Sequence, residues 1–291
     1  EVLAWDPETG TSRARIGGLP ERVLGLSFVR GGPLLAAAGG SPGRSGEVWL
    51  VDLAKAGARR RIAQMRDCVL AAVTTPEGGT LVVGGADNHV RAFSLPEGRP
   101  LWALEAHADW IMALAVSPDG RHVATASRDR TVKVLDVKTG TVEGTFTGHA
   151  TPVLSVAFTP DGDELLSGSL EGEVRRCKLS GEGLKDSTFR PGGRTEVLGL
   201  GFLSADTGLA GLGSGLAVAL DAKARQGREK LTQHEDRITA LLLSGPPERR
   251  RLITGSHEGQ VRITELQRDF GNTKPVWKVQ ELRRFIASPG W

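Results

Sequence analysis

The sequence predicts an all-β fold built from seven copies of one four-stranded antiparallel unit. The first observation behind this is a recurring turn residue, at Val29, Thr75, Ser117, Thr159, Leu203, Ser244 and Ser288, in steps of 41 to 46 residues. The second is the apolar triplet ahead of each turn: Val23/Leu26/Phe28, Val69/Ala72/Thr74, Ile111/Leu114/Val116, Val153/Val156/Phe158, Val197/Leu200/Phe202, Ile238/Leu241/Leu243 and Leu282/Phe285/Ala287. That period is the length of one four-stranded propeller blade, about 40–45 residues. The third is glycine, 39 of 291 residues, which suits short strands joined by many tight turns. A ring of repeats is one structural unit, so residues 1–291 are expected to form a single domain.

In chain order, residues 1–6 read as a third strand and Ser12–Ile16 as an outer strand. The first full set of inner, second and third strands spans about residues 22–52, with an enlarged turn from Gly39 to Gly46. Later sets fall at about 67–94, 109–136, 151–178, 195–221 and 236–265, each followed by an outer strand. The copy at 195–221 is the least regular, with Gly208, Gly211, Gly213 and Gly215 and no Asp turn. An outer strand is expected around 275–280, and residues 282–290 read as one more inner strand entering its turn. The two ends then share the seventh blade, which lacks its second strand, and the chain reads as part of a longer polypeptide. Closure of this kind removes exposed sheet edges. Small residues one place before the middle of each triplet suit strands converging on an axis: Gly25, Ala71, Ala113, Ser155, Gly199 and Ala240, with Arg284 as the exception.

Residues 107–136, HADWIMALAVSPDGRHVATASRDRTVKVLD, show the unit most fully. His107 precedes the apolar strand, Ser117-Pro118-Asp119-Gly120 makes a turn, and Thr125-Ala126-Ser127 ends the second strand. Arg128-Asp129-Arg130 then leads into a third strand closed by Asp136, and residues 149–178 repeat the arrangement. This resembles a WD-repeat unit, with Trp5-Asp6 in the place of the WD dipeptide, and the spacing extends the resemblance over nearly the whole chain. The resemblance implies a seven-bladed β-propeller of four-stranded antiparallel blades, one blade shared between the N- and C-termini. It also implies a network in which the His bonds a turn acid and a strand hydroxyl. The matching residues are His107 with Asp129 and Thr125, His149 with Ser167 and Glu171, and His234 with Thr254 and Glu258. The Trp of the family network is replaced by Leu135, Cys177 and Thr264. These His residues are therefore read as structural.

Catalysis finds no support. The chain has no nucleophile elbow, phosphate loop, zinc helix or dinucleotide fingerprint, so it is read as a non-enzyme with no metal and no cofactor. A formal charge of +3, from 37 basic and 34 acidic residues, does not announce a nucleic-acid partner. No run of 18 apolar residues suggests a membrane span and no signal-like start is seen. Cys68 and Cys177 read as unpaired core residues, which points to a reducing, cytoplasmic setting.

What remains is surface. By the same resemblance, the loops leading into inner strands and the turns between second and third strands share the top rim. Arg22, Cys68, Trp110, Pro152, Glu196, Arg237 and Glu281 would then ring the mouth of the channel. Trp110 is flanked by Asp109 and faces a turn carrying Arg128 and Arg130. Aromatic and Arg side chains dominate interface energetics. The partner-binding set is therefore Arg22, Asp109, Trp110, Arg128, Arg130 and Arg237, with Arg237 across the mouth. The expected function is a scaffold or regulatory platform that binds another protein or peptide, as a monomeric propeller within a larger protein or complex. The lesser reading is a nucleic-acid or ribonucleoprotein component. It would use basic runs on the opposite rim: Arg59-Arg60-Arg61, Arg249-Arg250-Arg251, and Lys223, Arg225, Arg228 and Lys230. A solvated charged face explains those runs more simply.

Overall fold

The structure, a computed structural model, describes residues 1–55, 57–179, 187–204, 206–221, 228–246, 250–269 and 276–286. It is all-β: seven antiparallel sheets follow one another along the chain, the organisation of a seven-bladed propeller. Among the described residues there is no helix, and so none long and apolar enough to cross a membrane.

The first sheet pairs β1 (Val2–Trp5) with β2 (Ser12–Ile16). The second holds β3 (Val23–Phe28), β4 (Leu34–Ser41), β5 (Ser45–Asp52) and β6 (Ala58–Met65). The third holds β7 (Val69–Thr74), β8 (Thr80–Gly85), β9 (His89–Ser94) and β10 (Pro100–Glu105). The fourth holds β11 (Ile111–Val116), β12 (His122–Ser127), β13 (Val132–Asp136) and β14 (Val142–Phe146). The fifth holds β15 (Val153–Phe158), β16 (Glu164–Ser169), β17 (Val174–Lys178) and β18 (Ser187–Phe189). The sixth holds β19 (Val197–Ser204), β20 (Thr207–Leu212), β21 (Leu216–Asp221) and β22 (Arg228–Gln233). The last holds β23 (Ile238–Ser244), β24 (Arg250–Ser256), β25 (Gln260–Asp269) and β26 (Val276–Ile286). The chain has two compact units, residues 1–158 and 159–291.

In the first unit the inner strands β3, β7, β11 and β15 lie side by side in chain order. Second strands are buried on both faces, which is why they read as unbroken small and apolar runs rather than as alternating ones. Ala36 and Ala38 face a core with Val48, Val69, Leu81 and Val83. Leu35 and Ala37 face the other way, into a core with Val2, Ile16 and Val51. A further core packs Val82 and Val90 against Ile111, Val123 and Leu135. Each fully buried Leu or Ile of this kind contributes about 1.5–3 kcal/mol. Gly25 shows why inner strands need small residues: a Cβ there would stand 2.8 Å from the Ala72 backbone nitrogen.

In the second unit, Leu166, Val197, Ala210, Leu212 and Leu220 share one core. Leu209, Ala219, Ile238, Leu252, Leu266 and Trp277 share another. The glycines of the irregular 195–221 copy lie where side chains crowd. A Cβ on Gly208 would stand 3.1 Å from Leu166, and one on Gly211 3.0 Å from Ile238.

One regularity had no sequence signal. The pairing of inner and second strands slips at the same place in five sheets, after Val23, Val69, Ile111, Val197 and Ile238. Each slip is a β-bulge, which re-aims the start of the inner strand.

Two expectations are corrected. The enlarged turn from Gly39 to Gly46 is instead paired strand, with Gly39↔Glu47, Gly40↔Gly46 and Ser41↔Ser45. Its glycines serve close backbone approach. A Cβ on Gly39 would stand 1.8 Å from the Arg22 carbonyl oxygen, and one on Gly46 2.0 Å from that of Asp67. The second correction concerns the expected inner strand at 282–290. Residues 282–286 continue the outer strand β26 beside β25, with Arg262↔Arg284 and Val261↔Phe285, while 287–290 lie outside the described residues. Arg284 is too large for the small central place of an inner strand. Glu281 accepts hydrogen bonds from buried Arg262 and from Arg284, which holds the stretch against β25. The first sheet therefore has two strands among the described residues, and the C-terminal strand belongs to the last sheet.

Candidate functional site

The site is built where the loop before β11 meets the turn between β12 and β13. Asp109 Oδ1 accepts the Trp110 N–H at 2.7 Å and fixes the direction of the loop. Asp67 does the same for Cys68 at 2.6 Å, and Asp236 for Arg237 at 2.6 Å, so this is a local device of the repeat. Two bonds tie loop to turn: Arg128 N–H to the Trp110 carbonyl at 2.9 Å, and Ser127 Oγ–H to the Asp109 carbonyl at 3.0 Å.

On that frame the Arg128 guanidinium lies over the Trp110 ring, 4.6 Å from its centroid. Arg128 Nε is 3.7 Å from Asp109 Oδ2. Trp110 is half-buried and Arg128 exposed, so ring and cation face solvent together. A cation–π contact at such a site is worth about 0.5–1 kcal/mol. Arg130, two residues on, is exposed and has φ +71°. Three other sheets have glycine at that place: Gly172, Gly215 and Gly259, at φ +83°, +81° and +79°. A side chain with positive φ costs roughly 1–2 kcal/mol, so Arg130 keeps its side chain against backbone preference.

Beneath the loop lies a buried polar network. Burial lowers the His107 pKa, against the opposing pull of Asp129, so the ring is neutral near pH 7. Its Nδ1–H donates to Asp129 Oδ2 at 2.8 Å, and Nε2 accepts from the Thr125 hydroxyl at 2.6 Å. Asp129 also accepts from Ala108 N–H at 3.1 Å, and from the Thr131 hydroxyl and N–H at 2.7 and 2.9 Å. Burial alone would raise the Asp129 pKa, but the Thr131, Ala108 and His107 bonds outweigh it and bring it to about 2. The loop holding Trp110 and the turn holding Arg128 are thus joined by one satisfied set of bonds.

The His234 network is only half made. Its Nε2 accepts from Thr254 at 2.7 Å, but Nδ1 lies 4.0 Å from Glu258 and is buried with no hydrogen-bond partner among the described residues. Glu258 instead accepts from the Ser256 hydroxyl at 3.1 Å. The Thr264 hydroxyl, in the place of the family Trp, is also buried without a partner there. Burial, followed by the charge of Arg262, lowers the His234 pKa. His149 and Ser167 are both buried, and they belong to different units.

Of the six residues expected to bind a partner, the structure brings Asp109, Trp110 and Arg128 together, with Arg130 in the same turn. Arg22 and Arg237 lie exposed in the loops before β3 and β23. Arg237 Nε is 3.9 Å from Asp236, which also accepts from His257 Nδ1 at 3.1 Å. Cys68 is wholly buried rather than lining a surface, and both cysteines are free thiols.

The described residues of the basic runs lie on strands rather than on connecting loops. Arg59, Arg60 and Arg61 belong to β6, Arg250 and Arg251 to β24, and Arg228 and Lys230 to β22. Arg249, Lys223 and Arg225 are outside the described residues. Arg60 donates to the carbonyls of Pro96 and Glu97, and Arg61 pairs with Glu47 at 3.1 Å. Among the described residues no three His, Cys, Asp or Glu side chains gather as a metal site.

Comparison with known families adds one finding: the model for "WD domain, G-beta repeat" matches residues 98–136 and 140–175. The first stretch carries most of the site, including Trp110, Arg128 and the His107 network. No curated protein sequence matches the chain.

Proposed function

We propose that the chain is a WD-repeat propeller acting as a non-catalytic platform, of the kind that generally serves protein interaction, and that it binds a protein or peptide at Trp110 and Arg128. The observation that carries this is the aromatic–guanidinium pair held open to solvent by a buried network. A half-buried Trp under an exposed Arg supplies apolar area and a bidentate donor, the combination that anchors interfaces. Arg130 supports the reading, because its side chain is kept where the backbone favours glycine. Arg22 and Arg237 are the further cations we assign to the partner surface. The chemistry suits an acidic segment with an apolar residue to cover the indole. The buried free thiols Cys68 and Cys177 support a reducing, cytoplasmic setting.

The test is capture of binding proteins by residues 1–291 and by two variants. Trp110→Ala should lose the specific partner with the fold intact, and Arg59→Glu should keep it. A nucleic-acid ligand would instead be lost with Arg59→Glu and fall steeply in affinity as salt rises.

A further inference from the structure

The outer strands of three neighbouring sheets differ at one place. Val48, Val90 and Val132 are matching buried residues of β5, β9 and β13. Their partners on the outer strands are Ala63 of β6, Leu104 of β10 and Phe146 of β14. Leu104 packs into the core beside Ile111 and Leu135. Ala63 stops short by most of a side chain. The contact just beyond is made alike in both places: Ile62 lies against Gly98 as Trp102 lies against Gly140. The shortfall is therefore local to Ala63.

It leaves a groove of about 390 Å³ between β6 and β9–β10, wholly within the first unit. Ala63, Met65, Phe93, Leu101 and Ala103 give it an apolar lining. Phe93 is buried, whereas Leu101 is 50 % exposed and forms an open wall. Arg91 is the one charged residue of the lining, and Asp87, outside the lining, holds both its terminal nitrogens at 3.1 and 2.6 Å. At the Pro100 end, Arg60 and Arg99 outnumber the one nearby acid, Glu97. Arg60 donates to the neutral carbonyls of Pro96 and Glu97 rather than to a carboxylate, and Arg99 is exposed. That end is therefore net positive. Among the described residues β6 and β10 are also the outer edges of their sheets, so main-chain groups along both lack a strand partner.

We propose that this groove receives an extended segment of another protein, which inserts a Leu or Phe side chain over Ala63 and sets an Asp or Glu, two residues away, against Arg60 and Arg99. Residues two apart point to the same face of an extended chain. The inserted side chain takes the place that Leu104 and Phe146 fill from within their own sheets. Carboxylate meets guanidinium at the positive end. This surface shares no residue with Trp110 or Arg128, so it stands or falls apart from the proposed function.

For the test, a display library of random linear peptides is selected on residues 1–291, and the selected peptides are titrated by fluorescence polarisation. Peptides that pair Leu or Phe with Asp or Glu two places away are expected. Ala63→Phe fills the groove from within, and Leu101→Asp puts a charge on its open wall. Each should weaken binding at least about tenfold, the share of one buried apolar side chain. Arg99→Glu should weaken it too, and Trp110→Ala should leave it unchanged. Leu101 and Arg99 are exposed, so their variants should keep the native thermal midpoint, which separates lost docking from lost folding. A selection in which no peptide loses affinity in both Ala63→Phe and Leu101→Asp would overturn the proposal. So would a groove that binds free dodecanoate and no peptide, since a small apolar acid would then be the occupant.

Discussion

The sheet around β11–β13 and the sheet around β23–β25 use the same frame for different ends. Each has an Asp that caps the loop before its inner strand and a buried His on a strand Thr. In the first, Asp129 reaches His107 at 2.8 Å and the network is complete. In the second, Glu258 lies 4.0 Å from His234 and bonds Ser256 instead. The upper surface differs in parallel. Trp110 and Arg128 stack in the first, whereas Arg237 and His257 flank Asp236 in the second. One added methylene in the acid separates a satisfied network from a half-made one. Only the satisfied one lies under a stacked aromatic–guanidinium pair.

The largest expected effect on stability is at His107. His107→Ala should cost roughly 1–3 kcal/mol, because it removes a buried ring together with its bonds to Asp129 and to the buried Thr125 hydroxyl. His234→Ala should cost less, since one of its ring nitrogens already lacks a partner. Denaturant midpoints of the two variants check this, and equal losses would break the comparison. Next is Arg130→Gly, which relieves positive φ and should raise stability by about 1 kcal/mol while weakening partner binding. A similar gain, about 1 kcal/mol or less, is expected for Glu258→Asp, which places a carboxylate as Asp129 is placed. A crystal structure of that variant should show the His234 Nδ1 bond made.

Much of this was legible in the chain. The period placed 22 to 52, 67 to 94 and 109 to 136 as strand sets, close to the observed β3–β5, β7–β9 and β11–β13. Apolar triplets carry that information because every inner strand must meet its neighbours in the same way. His107, Thr125 and Asp129 were legible as members of a repeat. The stacking of Arg128 on Trp110 was not, because the sequence placed both on one rim without fixing their side chains. Gly39, Gly40 and Gly46 misled, since glycine serves turns and close backbone approach alike. The end of the chain misled too, because a triplet with Arg284 at its centre keeps the apolar spacing but not the fit.

The smallest effect is the pH dependence. The folded-state pKa of His107 lies below its ordinary value, so the unfolded chain takes up the proton first. Stability is full above about pH 6.5 and declines as pH falls below it. Asp129, held at about 2, contributes above its ordinary value of 3.8 and loses that contribution as pH falls toward 2. Thermal midpoints between pH 7.5 and 5.5 should fall more steeply for the native chain than for His107→Asn.

The central claim is that the surface above the complete network is the binding face. Its most direct test is a titration of the captured partner against the native chain, Trp110→Ala and Arg237→Ala. Trp110→Ala should weaken binding by at least about 2 kcal/mol, some thirtyfold, with an unchanged thermal midpoint, and Arg237→Ala should weaken it less. Undiminished affinity in Trp110→Ala, with binding lost in Arg237→Ala or Arg59→Glu, would contradict the account.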